Sequence, residues 1–84
     1  MTTEQIDRFL SQNETTDTPV RISFRTRNAV TGVFITTPDF EELKLKNFWR
    51  IVDKIDLVRW KKSKDYNLCR MFNGAEFTKL AIVQ

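Results

Sequence analysis

The chain has 84 residues, which is room for one small domain with a single core. Its 40% hydrophobic share, with seven Phe, two Trp and one Tyr, excludes a disordered chain; one cysteine and no histidine exclude an internal disulfide and histidine-based triads and leave a structural zinc site short of ligands. Fourteen Lys/Arg against eleven Asp/Glu give a net charge of +3, unevenly spread: residues 1–43 carry four basic and seven acidic groups, residues 44–84 ten and four.

Residues 2–12 are expected to form a helix, because Ile6, Phe9 and Leu10 fall at i, i+3 and i+4. Thr2 with Gln5, or Thr3 alone, can cap its start. A polar, threonine-rich linker spans 13–19, closed by Pro19. Residues 20–26 alternate: Val20, Ile22 and Phe24 on one face, Arg21, Ser23 and Arg25 on the other. That pattern is a half-buried strand. A turn over 27–29 leads to a second strand over 30–36. Its apolar residues occupy both phases, Val30 and Phe34 in one and Val33 and Ile35 in the other, so both faces meet other groups. Gly32 in its middle reads as a bulge or sharp bend.

A turn is expected at 37–40 and a third strand at 42–52, with Leu43, Leu45, Trp49 and Ile51 in one phase. A helix over 47–60 is the competing reading, since Phe48, Ile51, Ile55 and Val58 also fit a helical period. Asp53 then caps a short helix through about Lys62, whose lysines suit the helix dipole. Residues 66–72 form a fourth strand and 76–83 a fifth. Asn73-Gly74 between them predicts a tight hairpin with positive φ at both residues. Five short strands in so small a chain suit a closed or nearly closed barrel, which hides its edges. The expected class is therefore mainly β: a five-stranded barrel with an N-terminal helix and a short helix between strands three and four.

The chain resembles the Sm/Hfq family of small RNA-binding barrels over about residues 3–36 and 66–83. Pro19-Val20-Arg21-Ile22-Ser23-Phe24, with Gly32 thirteen residues after Pro19, matches the family's first motif after its N-terminal helix. Asp39 and Phe40 resemble the Asp and the base-stacking Phe of the family's next loop, and Leu43 and Leu45 fit the start of its third strand. Phe72-Asn73-Gly74-Ala75-Glu76-Phe77 occupies the place of the second motif. There Asn73 replaces a basic residue and Gly74 the bacterial histidine, Asp39 is displaced by about one position, and 46–65 has no counterpart in the short bacterial form. The resemblance implies RNA binding and rings closed between the fourth strand of one copy and the fifth of the next, here 66–72 and 76–83.

Candidate RNA-binding residues fall into several groups. Arg21, Arg25 and Arg27 share one strand phase and form either a phosphate stripe or a solvated face. Lys61, Lys62 and Lys64 beside Trp60 can grip a single strand by charge and stacking, or simply end a helix whose Trp60 docks on the barrel. Phe40 stacks a base or plugs the barrel; Asn73 and Gly74 bind or only turn; Arg70, alternating with Cys69 and Met71, points outward. Cys69 reads as a small buried hydrophobe. Asp39, Glu41 and Glu42 read as solvated carboxylates rather than an acid pair or magnesium site. Gly32 and Gly74 cannot make a phosphate-cradling loop, so neither an enzyme nor a cofactor is expected. The N-terminus lacks a signal-peptide pattern and no apolar run approaches the roughly 18 residues of a membrane span, so a cytoplasmic protein is expected. A protein-interaction module, with Phe40, Trp49 and Trp60 lining a groove, is the alternative function. A structural subunit without a ligand is a third.

Overall fold

The structure is a computed structural model and describes residues 1–13 and 18–83. Residues 14–17 of the expected linker lie outside the described residues. In chain order the elements are α1 (Thr3–Asn13), β1 (Val20–Phe24), β2 (Val30–Phe34), α2 (Phe40–Leu45), β3 (Phe48–Asp53), α3 (Leu57–Ser63), β4 (Cys69–Asn73) and β5 (Phe77–Ile82). The five strands make one antiparallel sheet in the order β4-β3-β2-β1-β5. The sheet is not closed: β4 and β5 are its two edges, and no ladder joins them.

Helix α1 starts as its sequence dictates. The Thr2 amide donates to Gln5 Oε1 at 2.9 Å and the Gln5 amide returns a bond to Thr2 Oγ1 at 3.2 Å. This reciprocal pair satisfies two amides that the first turn leaves free. Ile6 is fully buried, and Phe9 and Leu10 pack beside it on the sheet.

The two phases of β2 are buried on opposite faces, as its pattern requires. Phe34 joins Ile6, Val20, Ile22, Trp49, Ile51, Phe72, Phe77 and Leu80 in one cluster. Val33 and Ile35 join Val52 and Trp60 in a second, on the face that α3 covers. Gly32 is neither bulge nor break, because its ladders run through without a register shift. Its reason is crowding: a Cβ there would lie 2.5 Å from the Val52 carbonyl oxygen and 2.8 Å from Ile51 Cγ2.

The expected strand over 42–52 is corrected. Residues Phe40–Leu45 are helical, and the strand begins at Phe48. Glu41, Glu42, Leu43 and Lys44 are good helix formers, and Lys44 pairs with Glu41 at 3.2 Å across one turn. The alternation of Leu43 with Leu45 imitated a strand, yet Leu45 is 85% exposed. Asn47, with φ 62°, turns the chain into β3. The competing helix over 47–60 does not form, since β3 pairs on both sides. Asp53 does act as a cap, accepting the Ile55 amide at 3.0 Å, although the turn it caps is 3-10 and α3 begins at Leu57.

Two further expectations change. The fourth strand starts at Cys69, because Tyr66–Leu68 is a 3-10 turn capped by Asp65. Asn73-Gly74 is not a hairpin of positive φ: Asn73 has φ −86°, no glycine has positive φ, and Gly74–Glu76 is a 3-10 turn. The Asn73 carboxamide oxygen accepts the Ala75 amide at 2.9 Å. That turn swings β5 away from β4 and onto β1, where Val20 meets Ile82, Ile22 meets Leu80 and Phe24 meets Phe77.

Candidate nucleic-acid interface

The end of β1 reaches the turn between β4 and β5. The Phe24 ring lies 5.6 Å from Phe72 of β4 and 5.3 Å, edge-on, from Phe77 of β5. The sheet therefore curls until its second-to-last strand meets its opposite edge through one aromatic cluster. Two guanidiniums cover that cluster. Arg27 lies 5.2 Å from the Phe24 centroid and 5.6 Å from that of Phe72; Arg70 lies 5.1 Å from Phe72. Phe72 is 7% exposed beneath them.

Among the described residues neither Arg27 nor Arg70 forms an ion pair. Both line or flank a cavity of about 350 Å³ bounded by Phe24, Thr26, Arg27, Met71, Phe72, Asn73 and Glu76. Two guanidiniums on one apolar ring outnumber the single Glu76 carboxylate of the lining and leave a net positive charge there, which attracts an anion. A planar base can share the same surface.

Arg70 reaches this place because it shares a face with Phe72. Its register partner is Ile51, a core residue, and it lies exposed over the open edge of the core, on the face opposite Cys69 and Met71. The stripe of Arg21, Arg25 and Arg27 is divided. β1 ends at Phe24, after a register shift between Ser23 and Phe24. Arg21 stays on the outer face opposite Thr31 and Ala81. The Arg25 amide donates to the Glu76 carbonyl at 3.1 Å, and Arg25 lines a wide hollow of about 700 Å³ with Met1, Gln5 and Ala75. Only Arg27 joins Arg70 and Asn73. Gly74 is buried under the turn, where a Cβ would run into the Asn47 side chain and lie 2.6 Å from Ile6 Cδ1.

The remaining candidates sit elsewhere. Phe40 is the first residue of α2, half-buried, with its ring 5.9 Å from Trp49 and the Lys44 ammonium 5.7 Å above it. Asp39 binds Arg50 at 2.8 Å and accepts the Thr37 hydroxyl. The Arg50 guanidinium, then the Thr37 hydrogen bond, hold the Asp39 carboxyl below its ordinary value. Lys61 and Lys62 are exposed at the end of α3, and Lys64 lies 5.4 Å from the Trp60 ring. Trp60 itself docks on the sheet, 7% exposed. Cys69 packs against that second cluster, and burial pushes its thiol pKa up. Phe40 and Trp49 belong to one cluster and Trp60 to the other, so the three do not line one groove. Among the described residues no group of three His, Cys, Asp or Glu is placed to hold a metal ion, and no helix is long and apolar enough to cross a membrane.

Phe24, Phe72 and Met71 of the cleft, and Tyr66 and Arg50 near α3, do not stand out in the sequence as site residues. The two phenylalanines carry only a core signal in their alternation. Tyr66 lies in a polar stretch beside the lysines, and that placement is its one sign.

Comparisons with family models, with curated proteins and with solved structures gave no match to this chain.

Proposed function

We propose that the chain is a small Sm-like barrel domain that binds single-stranded RNA, without catalytic activity, at the cleft over Phe72. The observation that carries this reading is the pair of guanidiniums, Arg27 and Arg70, without an ion pair among the described residues and both over one buried ring. Phosphates take the charge and a base takes the aromatic edge. The curl that brings Phe24 against both Phe72 and Phe77 supports a nearly closed barrel. The excess of basic groups in residues 44–84 supports a polyanionic partner. Self-association belongs to the same reading: β4 and β5 are the two edge strands of the sheet, the β5 edge capped at its start by the Met1 ammonium on the Phe77 carbonyl.

Fluorescence anisotropy with a labelled single-stranded RNA tests the reading. Wild-type protein binds it with an affinity that falls as salt rises. Replacing both Arg27 and Arg70 by Ala lowers the slope of log affinity against log salt by about 0.7 for each phosphate left without its cation. Absence of salt-dependent binding at micromolar protein overturns the reading in favour of a protein-interaction module.

A further inference from the structure

Apart from the cleft there is a hollow of about 320 Å³, lined by Thr37, Pro38, Asp39, Arg50 and Tyr66. It is at the small end of the roughly 300–1,000 Å³ that ligand pockets occupy. We infer that this hollow takes one nucleobase, a purine, of a single-stranded RNA, stacked on Tyr66 with its polar edge against the Asp39–Arg50 pair. The inference rests on the RNA-binding reading and adds a base-selective subsite to it.

Two observations carry it. The first is the platform. Tyr66 is 56% exposed, and its ring rests on buried Trp60, with centroids 5.7 Å apart and planes tilted by 32°. An exposed ring braced in this way stacks a base with little further loss of freedom.

The second is the polar edge. Asp39 and Arg50 are joined at 2.8 Å, which sets an acceptor and a donor side by side. A carboxamide reads adenine through that same combination, accepting from N6 and donating to N7. Arg50 also has a donor to spare, because its buried Nε–H has no acceptor among the described residues. Such a group is costly to leave unmet, and a ring nitrogen or carbonyl of a ligand would satisfy it.

The test uses the full chain and two labelled probes, hexaadenylate and an abasic phosphodiester strand of the same length. Tyr66→Ala weakens hexaadenylate binding about tenfold, within the range for one stacked base, and leaves its salt slope unchanged. Tyr66→Phe stays within about twofold of wild type, and binding of the abasic strand is the same in all three proteins. Tyr66→Phe should keep the wild-type melting temperature, and Tyr66→Ala, which uncovers one side of Trp60, should lower it only slightly and leave the protein folded at the assay temperature. A readout on the unmutated protein stands beside them: the Arg50 Nε–H resonance shifts on addition of hexaadenylate and not of the abasic strand. Tyr66→Ala binding hexaadenylate like wild type, or an unmoved Arg50 resonance at saturation, overturns the subsite and leaves RNA binding intact. Wild-type protein that binds neither probe overturns RNA binding itself.

Discussion

The indole N–H of Trp49 donates to Oδ1 of Asn47 at 2.8 Å, and this bond fastens the turn before β3 to the middle of the core. Asn47 serves three segments at once. Its Nδ2 donates to the Met1 carbonyl at 2.9 Å, and its own carbonyl accepts the Gly74 amide at 2.8 Å. Its φ of 62° is one that Asn tolerates better than most residues. Asn47→Ala therefore removes a partner from a buried indole and adds left-handed strain. The expected destabilisation is about 2–4 kcal/mol in urea unfolding. A value below about 1 kcal/mol, the net worth of an ordinary hydrogen bond, would mean that Trp49 finds another acceptor.

Gly32 tests the crowding between β2 and β3. An added Cβ meets the Val52 carbonyl at 2.5 Å, and a backbone oxygen cannot rotate aside. Gly32→Ala should cost at least about 2 kcal/mol, read as a lower melting temperature, in spite of alanine's lower unfolded-state entropy. A neutral result would show that the β2–β3 ladder slides freely.

Acid should weaken the molecule through Asp39. Its folded pKa lies below the ordinary 3.8, chiefly through Arg50 and then Thr37. A depressed carboxyl stabilises the fold above its unfolded pKa, and this contribution is lost as pH falls through the folded value. The stability gap between wild type and Asp39→Asn should be constant at neutral pH and shrink below about pH 4. Melting curves from acid to neutral pH measure it; a gap that widens in acid refutes the assignment.

Phe40 and the α3 lysines separate stability from charge. Phe40 packs edge-on against Trp49, so Phe40→Ala should cost about 2–3 kcal/mol of stability, less than the roughly 3–5 of a fully buried phenylalanine. Any RNA affinity it loses leaves the salt slope unchanged. Replacing Lys61, Lys62 and Lys64 by Gln should spare stability, since all three are exposed, and flatten that slope by about 0.7 for each phosphate no longer neutralised. The reverse pattern would exchange their roles.

The open edges predict assembly. Sedimentation at high protein concentration should show species heavier than the 10.0 kDa chain, through pairing of β4 with β5 of another copy. Sedimentation at the mass of one chain over the whole concentration range would remove that expectation.

What the sequence determined by itself is local. Val20, Ile22 and Phe24 alternate along β1; Thr2 and Gln5 cap α1; Val33 and Phe34 in opposite phases announce a sheet buried on both faces. Each signal involves residues within a few positions, where backbone geometry alone fixes who meets whom. The tertiary structure decided the rest. Leu43 and Leu45 fit a strand by spacing, but nothing covers Leu45 and the local helix prevails. Asn73-Gly74 fits a hairpin, but Asn47 and Ile6, far away in the chain, crowd the turn and β5 pairs with β1. Arg27 and Arg70 meet over Phe72 only because the sheet curls. Strand order and curl are sums over interactions between distant segments, and no pattern of neighbouring residues encodes such a sum.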